Sequence, residues 1–135
     1  MNIPSSLHQF SDWGLLALRL GVGSVFLAHG SQKRAMWKMQ PSAQMPAGLL
    51  SILRVLSIAE PLGGLATLTG LLTQAAAAGF ILVMLGAIRL KITALHKGFG
   101  GEGGWEFEFL LLVGAIVLLF LGAGRFALDR VVFGI

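Results

Sequence analysis

Long apolar runs alternate with short polar connections along the chain, and the pattern predicts four membrane-spanning helices. The runs cover about 14–30 (GLLALRLGVGSVFLAHG), 47–72, 75–95 and 105–122. Each approaches the ~20 residues that cross a bilayer as a helix. Asp12 is placed to cap the first helix, and Trp13 to anchor it at the membrane interface. The second run is interrupted by Glu60, Pro61, Gly63 and Gly64. There the proline predicts a kink, and the glycines a close approach by a neighbouring helix. Thr73 and Gln74 make a tight connection, while GFGGEGG after the third run is a flexible turn. Short connections make successive helices antiparallel neighbours, so the expected fold class is all-α, an integral membrane four-helix bundle in a single domain, 1–135.

Composition narrows the picture. Of the 135 residues, 56% are hydrophobic and 12% charged, against about a quarter charged in a soluble domain. A disordered chain, a wet nucleic-acid module and most compact soluble enzymes are excluded. With ten Lys/Arg against six Asp/Glu, the net charge is +4. The basic residues Lys33, Arg34, Lys38, Lys97 and Arg130 read as interfacial groups beside lipid headgroups rather than a nucleic-acid surface. Their distribution leans toward a cytoplasmic 31–46 loop with both termini outside. The first ten residues lack the basic stretch and cleavage pattern of a signal peptide. Cysteine is absent, so the chain itself carries no disulfide, iron–sulfur ligand or dithiol chemistry.

The scarce charges inside the runs are the candidates for function, because a lipid-facing charge at mid-bilayer costs at least ~2.5–3.5 kcal/mol. At ~1.5 Å per residue, Arg19 lies roughly 9 Å from the N-terminal side. Glu60, Arg89, His29, Glu108 and Arg54 fall together at roughly 18–27 Å. The expectation is a polar layer in which Arg54 and Arg89 neutralise Glu60 and Glu108, with His29 beside them and His96 near the same face as Arg89. Arg54 and Glu60 diverge by about 120° on their helix unless the Pro61 kink brings them together. Such a layer is either an ion-pair network fixing helix register or a pocket for a small ligand or proton. No metal site, nucleophile motif or nucleotide loop is present. His29 and His96 are the pair available to a haem, but histidines near helix ends more often act as interfacial hydrogen-bonding groups, so haem is the weaker reading.

Several strings together resemble the DoxX family of small bacterial membrane proteins, from about Leu15 to Asp129. They are LRLGVGSVFLAHGSQK, the Glu-Pro-x-Gly-Gly run at Glu60, Pro61, Gly63 and Gly64, MLGAI, His96, GGWEFEF and GAGRFALDR. Gln74, Ala123 and Ala127 depart from residues usual in the family. The resemblance implies a multi-pass protein of the bacterial inner (plasma) membrane. It also implies a function near quinone-linked or thiol-stress redox systems, with a quinone as the possible cofactor. It brings Arg19 toward Asp129, tying the C-terminal segment to the first helix. In that reading Arg89 and His29 hold a quinone head group, and Glu60 or Glu108 relays protons. If the chain is catalytic, it is as a subunit of an oxidoreductase, with electrons coming from a protein partner or from the bound quinone itself. The other classes are a small oligomeric transporter and a membrane scaffold for a redox partner. The first helix lacks the carboxylate of proton-coupled cation exporters.

Overall fold

The computed structural model describes residues 6–135. Five α-helices follow one another: α1 Ser11–Gln32, α2 Ala47–Thr69, α3 Thr73–Thr93, α4 Glu106–Leu121 and the short α5 Leu128–Phe133. Tighter 3-10 segments flank α1 at His8–Phe10 and Lys33–Lys38, and no strand occurs among the described residues. This is an all-α membrane bundle. Large apolar side chains such as Ile52, Val55, Leu82, Leu110 and Phe120 face outward, whereas Arg19, Glu60 and Asp129 are buried. That distribution inverts the soluble pattern and suits a lipid solvent.

Three segments, His8–Lys38, Ala47–Thr69 and Thr73–Thr93, are long and apolar enough to cross a membrane. The fourth expected run, 105–122, is helix α4, which is shorter than the other three. Helix α4 has only 16 residues, which is about 24 Å against a hydrocarbon core of ~30 Å. Its start is set by the glycine-rich turn, where Trp105 and Glu106 donate backbone bonds to Gly98 and Phe99. Gly122, at φ 73°, ends it in a conformation that favours glycine.

Close helix contacts depend on glycine. A Cβ on Gly64 would lie 2.7 Å from the Gly23 carbonyl, and one on Gly23 would lie 2.9 Å from the Gly64 carbonyl. Gly30 faces the Pro61 ring with no room for a side chain, while Gly63 faces the Phe80 ring. Pro61 sits inside α2, which continues through it to Thr69. Deeper in the bundle, Phe26 of α1 stacks on Phe80 of α3 with ring centroids 3.6 Å apart. Met84, Leu111, Ala115 and Leu118 complete this core.

Two buried charges clasp one end of the bundle. Arg19 donates to the Thr67 and Leu68 carbonyls at the C-terminal end of α2, and to the Ala123 and Phe126 carbonyls after α4, all at 2.9–3.0 Å. The last carbonyls of a helix lack partners within it and carry its negative dipole end, so a guanidinium fits them twice over. Asp129 accepts bonds from the Leu72 and Thr73 amides at 2.6 and 3.1 Å, capping the start of α3 from a distant part of the chain. The expected Arg19–Asp129 association is present as a charge interaction, while the hydrogen bonds by which each ties the C-terminal segment down go to backbone groups. Asp12 caps no helix, because α1 begins at Ser11 after Phe10. Its carboxylate accepts instead from the Arg125 amide at 2.9 Å.

Candidate functional site

Helix α2 presents Arg54, Ser57 and Glu60 at successive three-residue steps, and all three engage the chain just beyond α1. Arg54 donates to the Met36 and Met39 carbonyls at 3.0 and 2.8 Å and lies over the Trp37 ring. Ser57 accepts the Trp37 indole N–H at 2.8 Å. Lys33 Nζ reaches Glu60 Oε2 at 2.5 Å, with the Glu60 side chain 1% exposed and that of Lys33 24% exposed. A lysine stem spans such a gap by running along apolar surface toward its partner. The polar segment Lys33–Lys38 is therefore strapped against α2, with Arg34 and Lys38 left exposed.

A second ion pair forms between α3 and α4. Lys91 Nζ stands 2.7 Å from Glu108 Oε1 and also donates to the Gly104 carbonyl at 2.9 Å. The two cations that neutralise the buried carboxylates are thus lysines. Arg54 is occupied by backbone carbonyls, and Arg89 is exposed with no side-chain hydrogen bond or ion pair. The expected Arg54–Arg89–Glu60–Glu108 network is corrected accordingly. Lys33 had an angular position close to His29 in the sequence, but its place in a basic loop made it read as interfacial.

Between these pairs lies a cleft of about 570 Å³. His29, Lys33, Glu60 and Glu108 supply its polar lining, and leucines and small residues of α2 and α3 supply the rest, among them Leu53, Leu56, Gly86 and Ala87. His29 is half-buried, with its ring 5.5 Å from that of Phe107. Each carboxylate has one oxygen held by a lysine. The other oxygen, Glu60 Oε1 or Glu108 Oε2, is buried without a hydrogen-bond partner. An unmet acceptor of this kind is costly, more so in a medium of low dielectric constant.

The structure gathers three of the expected site residues, His29, Glu60 and Glu108, around one cleft. It does not bring the others there. Arg19 belongs to the clasp at the far end, Arg54 to the strap, and Arg89 is exposed away from the cleft lining. His96 is exposed after α3, at φ 51°. Lys33 and Lys91, the ion-pair partners of the two glutamates, are the side chains that the sequence reading did not assign to this region. Pro61, Gly63 and Gly64 shape the packing beside the site, and Asp129 the far end.

An apolar helical bundle with paired ions beside a cleft defines a class: an integral membrane protein with polar groups inside its bundle. The chain belongs to the DoxX family, whose model matches residues 14–96. It is 35% identical to an uncharacterized membrane protein of Mycobacterium tuberculosis, Rv3486, over 94% of this chain and 86% of that protein. It is 34% identical to CatD of Bacillus subtilis, which carries the provisional name of oxidoreductase, over 94% of this chain and 92% of that protein. No solved structure gives a significant match.

Proposed function

We propose that this protein is the quinone-binding membrane component of a redox system in the bacterial plasma membrane. The observation that carries the proposal is the cleft, where an apolar wall meets His29 and two lysine-held carboxylates, each with an unpartnered oxygen. The donor set suits a quinone, which is apolar apart from two ring oxygens and needs hydrogen-bond donors at them. Lys33 and His29 are the residues that would hold the head group; Arg89 has no part in it. When bound, a quinone supplies two-electron, two-proton redox chemistry. Glu60 and Glu108 each keep one lysine contact while their second oxygen accepts or holds a proton. The apolar flank from Leu49 to Leu56 excludes water from the same space. In this reading the electrons come from a protein partner or from the bound quinone itself, since the chain has no cysteine to carry dithiol chemistry. The name of CatD points in the same direction.

The test compares two glycine variants. Gly86 lines the cleft, and a Cβ there meets nothing within 4 Å, so Gly86→Leu fills the cleft without disturbing the helix. Gly21 is equally open but lies outside the cleft lining. Binding of decylubiquinone to the purified protein in nanodiscs is expected to be lost in Gly86→Leu and retained in Gly21→Leu. Equal binding by both variants and the unaltered protein contradicts the proposal.

A further inference from the structure

Two charges near one end of the bundle have no partner within the chain. Arg89 is exposed with no side-chain hydrogen bond or ion pair, about 6 Å inside the end of α3. Glu106, the first residue of α4, is likewise exposed and unpaired. They stand two residues from Lys91 and Glu108, the pair that joins α3 to α4. Two residues are about 200° around a helix, so Arg89 and Glu106 point away from the inner pair and from each other. An unpaired charge on a spanning helix is costly, and neither can relieve the other inside one chain.

The faces that carry these charges are complementary in shape. On α3, Arg89 ends an exposed row with Gly86, Leu82, Gly79 and Ala75, at alternating steps of three and four. On α4, Glu106 begins an exposed row with Phe109, Val113, Ile116 and Phe120, at the same steps. One row is mostly small and the other mostly large. The hollows are open: a Cβ at Gly79 or Gly86 meets nothing within 4 Å, and Gly79 borders a recess of about 130 Å³ between α2 and α3. Association in lipid depends on such packing, since helices there gain no hydrophobic burial from one another.

We infer that a second copy of this chain packs here, with α4 of one copy lying along α3 of the next. Copies oriented alike in the bilayer hold these helices antiparallel across the contact, as the short turn does within a chain. Setting Arg89 beside Glu106 then brings Gly86 to Phe109, Leu82 to Val113, Gly79 to Ile116 and Ala75 to Phe120. Each hollow receives a large side chain, and the two free charges neutralise each other. Alternating steps of three and four are the spacing at which paired helices fit knobs into holes. Leu82 and Gly86 also line the cleft, so the neighbouring copy supplies Phe109 to its rim. The contact needs no ligand and stands whether or not a quinone occupies the cleft.

Disulfide trapping tests the contact, because the chain has no cysteine of its own. Leu82→Cys and Val113→Cys are made in separately tagged full-length copies, co-expressed and oxidised in native membranes. The mixture is expected to give a disulfide dimer carrying both tags, and the same cysteine in both copies to give little. Arg89→Glu in the Leu82→Cys copy sets like charges against Glu106 and is expected to lower the yield roughly fivefold, the scale of an exposed ion pair. Adding Glu106→Arg to the other copy restores opposite signs and is expected to recover the yield. All four positions are exposed in the single chain, and monodispersity in mild detergent verifies folding. If a charge variant fails that check, the two cysteine copies decide alone. A dimer no more abundant from the mixture than from either cysteine alone overturns the inference, as does a yield indifferent to Arg89→Glu. Neither result bears on quinone binding, which is read separately.

Discussion

Lys33 and Glu60 meet at 2.5 Å across the junction of α1 and α2, one from the start of a polar segment and the other from a buried helix face. The contact converts a basic loop into part of the bundle wall. It also places a carboxylate inside the membrane protein with half its acceptor capacity met. The same arrangement recurs at Lys91 and Glu108, 2.7 Å apart. The two pairs face one cleft, and that duplication gives the cleft its chemical character.

Breaking one member of the first pair is expected to cost more than removing both. Lys33→Met strands the Glu60 charge, and loss of one partner of a buried pair destabilises by about 3 kcal/mol. Lys33→Met with Glu60→Gln is expected to recover most of that loss. Thermal unfolding in mild detergent checks it. A single variant as stable as the parent indicates that Glu60 carries no charge needing Lys33.

Arg19→Lys is expected to weaken the bundle strongly although the charge is kept. An ammonium has three donors from one atom and cannot reproduce a planar fork over four carbonyls from two parts of the chain. Leaving buried acceptors unmet costs about 1–3 kcal/mol each. The readout is the temperature of half-maximal aggregation, with protease sensitivity around Ala123 and Phe126 rising in parallel. An unchanged profile removes Arg19 from the clasp.

Two glycines on lipid-adjacent helices are expected to respond oppositely to alanine. Gly30→Ala collides with the Pro61 ring, whereas a Cβ at Gly79 meets nothing within 4 Å. Gly79→Ala is therefore expected to be neutral or stabilising by up to about 1 kcal/mol through helix propensity, while Gly30→Ala lowers the yield of monodisperse protein. Size-exclusion profiles of the two variants, prepared side by side, decide the point. Similar behaviour of both contradicts the close α1–α2 contact.

Asp129→Ala is expected to destabilise the start of α3 by about 1–2 kcal/mol, as loss of a helix cap does. Hydrogen exchange at Leu72 and Thr73, whose amides the carboxylate accepts, is the specific readout. Faster exchange there, with α1 unaffected, is the expected pattern. Protection unchanged at both amides means that the cap is supplied otherwise.

The apolar runs made the helical class legible, because hydropathy and length act locally. They located α4 as well, read as 105–122 and found over Glu106–Leu121, with Gly122 at positive φ ending it. Depth along the helices grouped His29, Glu60 and Glu108, which line one cleft. It misassigned their cations. Lysine stems are long enough for Lys33 and Lys91 to reach inward from positions that read as interfacial, whereas Arg54 was captured by the Met36 and Met39 carbonyls. Carbonyl acceptors are invisible in a sequence, so the pairing of Arg19 with Asp129 was legible as charge but the backbone groups each of them binds were not. Those partners depend on which helix ends meet in space.

The most direct measurement of the central claim is photolabelling with an azido-quinone, followed by peptide mapping. Two spaces among the described residues give contrasting outcomes. One is the cleft beside Lys33, Glu60 and Glu108, and the other is a cavity of about 360 Å³ at the opposite end, lined by Gln74, Arg125 and Arg130 among others. Label concentrated in residues 49–60 and 82–90, and abolished by Gly86→Leu, is the expected result. Label in residues 120–135 that persists in Gly86→Leu contradicts the assignment of the quinone to the cleft.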